Sequence, residues 1–180
     1  GRNELPTAHS LARPVIRAQS TLWASREFRE SRAAAYVTYA GYGDLQRSPR
    51  HNSLWLPTPV RQPPRTSTLR ERRDGLTTAG LIANWDYWPN RDAWQHFCSD
   101  WLPQLRAWGI STCVAGIGSD ALPIPEGVRL LGRVDHVSEF YEAIDIALVP
   151  VRRGGGVKVK ALEALTWGKV VWVHRHVLDG

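Results

Sequence analysis

The stretch from Ile146 to Val173 most narrows what this chain can fold into. Ile146 to Val149 is a short apolar run ended by Pro150, as a strand buried on both faces of a parallel sheet reads. Gly154, Gly155 and Gly156 follow, and then apolar residues recur at Val157, Ala161, Leu162 and Leu165, the spacing of a helix laid against a sheet. Gly168 stands where a C-cap would end that helix, and Val170 to Val173 is the next apolar run. The expected unit is strand, glycine loop, helix, strand.

A loop of that kind brings backbone N–H groups to the positive end of a helix dipole, and residues without Cβ let a bulky anion come close. Gly154, Gly155, Gly156 and Val157 are therefore candidates for holding a phosphate group. Lys158 and Lys160 put positive charge into the first turn, where the dipole alone disfavours it, and an anion would remove that conflict. Glu163 lies one to two turns further on and leans back toward the helix start, so its carboxylate can accept hydrogen bonds from sugar hydroxyls. Spacing alone leaves a second reading equally open, in which the glycines merely turn the chain and the charged residues are solvated.

The run from Gly154 to Val171 resembles the donor-binding signature of retaining GT-B glycosyltransferases of group 1, also called family 4. The resemblance implies a Rossmann-like, doubly wound parallel sheet carrying the nucleotide-sugar site, beside a partial second α/β domain. It implies that the glycine loop with Val157, Lys158 and Lys160 holds a nucleotide-sugar's diphosphate and that Glu163 binds the ribose. Many members carry a second Glu eight residues before that one, where this chain has Gly155. Gly132-Arg-Val-Asp135 resembles the turn that borders the nucleobase, which makes Arg133 and Val134 base-proximal candidates. In the loop at 84–91, members carry an Arg and a Lys that clamp the diphosphate; the matching positions here are Asn84 and Asn90. The positive charge would then come from Lys158, Lys160, Arg152 or Arg153. Thr7-Ala-His-Ser10 matches the setting of a His that faces the donor sugar, so His9 is a catalytic candidate, with an idle loop histidine as the alternative.

Residues 1–75 hold 13 Arg and no Lys against 6 acidic residues, while residues 76–180 hold 10 basic and 11 acidic ones. The arginines are scattered among Trp, Leu and Ala, which favours a solvated helix face over a nucleic-acid surface. The basic half is compatible with a membrane-associated acceptor. Cys98 and Cys113 fit no metal or redox spacing and read as reduced core residues. No apolar run approaches the ~18 residues of a membrane span, and no secretory leader is visible. A cytoplasmic protein is expected, with attachment at the inner membrane surface compatible.

Along the chain, a helix is expected from about Pro14 to Ala34, a strand at Ala35 to Ala40 closed by a turn at Gly41 to Asp44, and a strand at Asn52 to Pro57. The Pro-rich segment 58–77 reads as a linker between the end of an acceptor domain, 1–57, and a nucleotide-sugar-binding domain, 78–180. In that domain strands are expected at Gly80 to Asn84, Ser111 to Gly116 and Val128 to Leu131, with one helix from Pro89 or Asn90 through Trp108 and another from His136 to Ile144. Gly116-Ile-Gly-Ser is discounted as a dinucleotide fingerprint, because it follows the second strand and lacks a third glycine. The absence of any Met and the two-domain plan lead us to expect a fragment.

The functional reading is transfer of a sugar from a nucleoside-diphosphate sugar to an acceptor hydroxyl, without a metal or other cofactor. The acceptor's identity stays open, with a lipid-linked sugar or a polysaccharide among the candidates. The alternative is a Rossmann-like binding module without turnover, whose basic first segment meets RNA or an anionic surface. An NAD enzyme would require a glycine fingerprint after the first strand, and Asn84-Trp-Asp-Tyr-Trp lacks one.

Overall fold

Apolar and β-branched runs pair as two separate parallel sheets. The structure, a computed structural model, describes residues 13–60, 63 and 77–179. The described residues fall into two compact units: one runs to Thr58 and includes Arg153–Val157, the other comprises Pro59–Arg152 and Lys158–Leu178.

In the first unit, helix α1 (Arg13–Ala33) is followed by strand β1 (Val37–Tyr39), helix α2 (Tyr42–Arg47) and strand β2 (Ser53–Trp55). β1 and β2 are parallel, with Thr38 opposite Leu54. α2 occupies the segment read from sequence as a turn. Gly41 precedes it in extended conformation, Asp44 sits in its first turn, and Arg47 pairs with Asp44 at 2.7 Å, so favourable charges at both ends support a six-residue helix. Asn52 ties this unit together, its Nδ2 donating to the Ala34 carbonyl at 2.9 Å where α1 ends.

The second unit contains strands β3 (Thr78–Ile82), β4 (Ser111–Ala115), β5 (Val128–Gly132), β6 (Ile146–Val149) and β7 (Val170–Val173), all parallel, in the order β5-β4-β3-β6-β7. This is the Rossmann-like, doubly wound α/β arrangement that the alternation of strands and helices implies. The chain leaves β3 toward β4 on one side and returns to it with β6 on the other, so the switch in strand order lies between β3 and β6. Alternation along each strand feeds two cores. Val114, Ala79, Leu81 and Leu148 pack with Trp94, Phe97, Leu102 and Leu105. Cys113, Ala115 and Ala147 pack with Phe140, Tyr141, Ile144 and Ala164 on the other face.

Two helical expectations change. The single helix read from Pro89 through Trp108 is α3 (Trp88–His96), a π-helical turn (Phe97–Trp101) and α4 (Leu102–Ala107). Pro103 stands in the first turn of α4; it lacks an N–H, and its ring would crowd a carbonyl of the preceding turn, which the wider π turn relieves. α5 (Val137–Glu142) and α6 (Val159–Thr166) complete the unit. The buried face of α6 is made of alanines: Ala164 is 0% exposed and Ala161 is buried, whereas Leu162 and Leu165 are 37% and 58% exposed. Small residues let the helix lie close to the sheet, so size outranks hydrophobicity at this contact. Of the two thiols, Cys113 is buried and its pKa is pushed up to about 11 by that burial, while Cys98 is half-buried.

Gly116, the start of the fingerprint-like run, has a structural task. Its φ is +113°, its N–H donates to the Gly132 carbonyl, and a Cβ there would sit 2.0 Å from the Ala83 carbonyl oxygen. We expect Gly116→Ala to destabilise the fold by about 2 kcal/mol or more, read as a lower midpoint in urea unfolding.

Candidate functional site

The carboxyl ends of parallel strands collect loops and helix starts, and here those of β3 and β6 flank the switch in strand order. The loop after β3 is pinned from below. Trp85 is buried, its Nε1 donating to the Ala115 carbonyl at 2.8 Å and its backbone N–H to the Ile117 carbonyl at 2.8 Å. Asn84 Oδ1 accepts from the Asp86 N–H at 3.0 Å, which closes the turn. Asn90, in the first turn of α3, then donates through Nδ2 to the Asn84 carbonyl at 2.7 Å.

Asn90 Oδ1 accepts from Lys160 Nζ at 2.8 Å, across 70 residues of chain. Lys160 is in the first turn of α6, and no ion pair among the described residues involves it. The apolar residues around it, Ala93, Val149, Pro150 and Val151 among them, line a gap of about 10 Å³, room for one water at most. Burial, with a smaller effect from the Lys158 charge, lowers the Lys160 pKa from its ordinary 10.5 to about 8. A cation is thus held against a neutral amide.

Glu163 follows one turn later on α6. Its Oε2 accepts from the Tyr141 hydroxyl at 3.1 Å. Tyr141 is 1% exposed, stacked on Trp167 with centroids 5.5 Å apart. Burial and then the Glu163 charge raise the Tyr141 pKa, so the phenol stays a donor at any physiological pH. The carboxylate is therefore fixed by a rigid partner from α5. Lys160 and Glu163 are three residues apart on one helix, yet the structure joins each to another element.

The remaining candidates lie elsewhere. Arg152 is committed to Asp92 through two hydrogen bonds of 2.9 and 3.1 Å, which raise its pKa, so it does not supply a cation beside Lys160. Arg133 is exposed beyond the end of β5, and Val134 is half-buried against the cluster that holds Tyr141. Gly154, Gly155, Gly156 and Val157 belong to the first unit, whereas Lys158 caps α6 in the second. Within the loop, Gly154 and Gly156 have φ of +97° and +73°, and a Cβ on Gly155 or Gly156 meets nothing within 4 Å. Positive φ accounts for two of the three glycines. His9 lies outside the described residues. Sequence reading missed Tyr141, Asn90 as a partner of lysine, and Asp92; all three lie on helical faces whose partners come from distant segments.

Residues 77–177 match the family described as "Glycosyl transferases group 1". The chain belongs to that family. No curated protein matches the chain significantly. Among solved structures, the crystal structure of TarM superposes with a TM-score of 0.48 at 10% identity, covering 78% of this chain and 30% of that one. The chain thus spans about a third of the length of that structure. Within this group 1 glycosyltransferase sequence, Lys160, Asn90, Glu163 and Tyr141 all fall in the family-matched segment, as do Arg133 and Val134. No helix among the described residues is long and apolar enough to cross a membrane.

Placing Lys160 at about 8 corresponds to roughly 3 kcal/mol against its charged form in the fold. The folded pKa lies below the unfolded one, so between about 8 and 10.5 the unfolded chain holds the extra proton and folding stability rises with pH. Below 8 the cost is fully present. We expect Lys160→Met to raise the melting temperature at pH 7, with the gain shrinking by pH 9.5, measured by thermal melts at both values.

Proposed function

We propose that this chain carries the donor-binding part of a retaining glycosyltransferase, which moves a sugar from a nucleoside-diphosphate sugar to an acceptor hydroxyl. The observation that carries the reading is the Lys160 ammonium, half-buried at the carboxyl ends of β3 and β6 with only an amide oxygen as partner. A fold that tolerates such a cation gains from an anionic ligand placed beside it.

In this reading Lys160 meets the diphosphate, helped by Lys158 and the N-terminal end of α6; for the glycines 154–156 and Val157 a diphosphate contact is what the family resemblance implies. Glu163, oriented by Tyr141, accepts from the ribose hydroxyls. Arg133 and Val134 border the base, and His9 is the catalytic candidate that the resemblance turns toward the donor sugar. As the glycosidic bond breaks, negative charge grows on the departing diphosphate, and a fixed, half-buried cation stabilises it without reorganising. No metal or cofactor enters this scheme. Residues 1–57 would belong to the acceptor domain and 58–77 to the linker. The free thiols of Cys98 and Cys113 support a cytoplasmic setting, with peripheral attachment if the acceptor is lipid-linked.

Calorimetric titration with UDP, GDP, ADP and inorganic pyrophosphate tests this. At least one nucleoside diphosphate should bind. Lys160→Ala should weaken both it and pyrophosphate by about tenfold or more, the size of a lost charged hydrogen bond. Glu163→Ala should weaken the nucleotide and leave pyrophosphate unchanged. Wild-type affinity for none of the three nucleotides, or unchanged binding by both variants, overturns the reading.

A further inference from the structure

Asn90 differs from an ordinary surface amide in having both ends of its side chain engaged. Nδ2 donates to the Asn84 carbonyl at 2.7 Å, and Oδ1 accepts from Lys160 at 2.8 Å. The Asn84 carbonyl is itself part of a turn fixed by the Asn84 side chain and by buried Trp85. Because Nδ2 faces a carbonyl, the amide cannot flip without setting two oxygens against each other, so Oδ1 is held toward the lysine. Lys160 has three N–H donors and Asn90 takes one of them.

An acid at position 90 would hold the ammonium more strongly than the amide does, yet it would neutralise the charge. The other charged groups nearby leave that charge standing. Asp92, on the same helix as Asn90, is paired with Arg152; Glu163, on the same helix as Lys160, is bound by Tyr141; and Lys158 adds a second positive charge. The site keeps its cation oriented and unneutralised.

We infer that Asn90 is a positioning residue for the anionic donor, a neutral clamp that orients the Lys160 ammonium while leaving its charge and its remaining donors to the diphosphate. The inference rests on the donor-site reading above and adds what makes that site work. Because the lysine titrates near 8 when the site is empty, binding should carry its signature in pH. Between pH 7 and 9 wild-type affinity for a nucleoside diphosphate should fall about tenfold, the change expected when one required proton is lost around pH 8.

The test is calorimetry from pH 7 to 9 with whichever of UDP, GDP or ADP binds, using wild type, Asn90→Asp, Asn90→Ala and Lys160→Met, with thermal melts to show that each variant is folded. Asn90→Asp should bind at least about tenfold more weakly at pH 7, and its affinity should change little up to pH 9, because a carboxylate partner raises the lysine pKa. Asn90→Ala should weaken binding less but keep the wild-type pH slope, since Lys160 stays charged but loses its clamp. Lys160→Met should bind weakly with no such slope. Wild-type affinity and slope in Asn90→Asp overturn the role of Asn90, provided Lys160→Met is weak. Wild-type affinity in Lys160→Met instead removes Lys160 from the donor site.

Discussion

Every feature of the site depends on one constraint, that five strands run parallel with their carboxyl ends at a common edge. A parallel sheet needs both faces covered, so the chain must alternate strand and helix, and each helix returns to begin near that edge. α3 follows β3 on one face and α6 follows β6 on the other side of the switch. Asn90 and Lys160 stand in the first turns of these two helices. Their contact across 70 residues is therefore a product of topology rather than of local sequence.

The fate of the cations separates fold from function. Arg152 and Asp92 satisfy each other through two bonds at the end of β6, an arrangement that asks for no ligand. Lys160 has an amide for a partner and loses affinity for its proton to burial. A fold selected only for stability would carry a methionine or leucine there. Four basic residues in nine positions look equivalent in sequence, and only their partners set Arg152, held by a carboxylate, apart from Lys160, held by an amide.

The strands were legible because short apolar runs between glycine and proline leave few alternatives; Ile146–Val149 and Val170–Val173 stand where the patterning puts them. Gly168, with φ of +66°, ends α6 as its position implied. The π turn was also within reach, since Pro103 stands in the middle of an apolar helical pattern. The alanine face of α6 was half legible: Ala161 falls in the apolar spacing and is buried, but Ala164 was passed over for Leu162 and Leu165, because periodicity ranks residues by hydrophobicity while close packing ranks them by size. Asn90 read as a lost charge and not as a partner, since a side-chain bond to a residue 70 positions away leaves no trace in spacing. Tyr141 lies in an apolar helical pattern, which gives its ring a reason and its hydroxyl none.

Lys160 and Glu163 show how the fold keeps two opposite charges from cancelling. Three positions apart on a helix, a lysine and a glutamate are neighbours that ordinarily attract. Here each is captured by an uncharged group, the lysine by Asn90 of α3 and the glutamate by Tyr141 of α5. Those helices cover opposite faces of the sheet, since Trp94 and Phe97 pack in one core and Phe140 and Tyr141 in the other. The two captors therefore pull from different sides, and each replaces a Coulombic partner with a hydrogen bond that leaves the charge intact. A ligand that is anionic at one end and carries hydroxyls at the other can then use both. On the proposed donor-site reading, neither charge has to be released from the other before such a ligand binds.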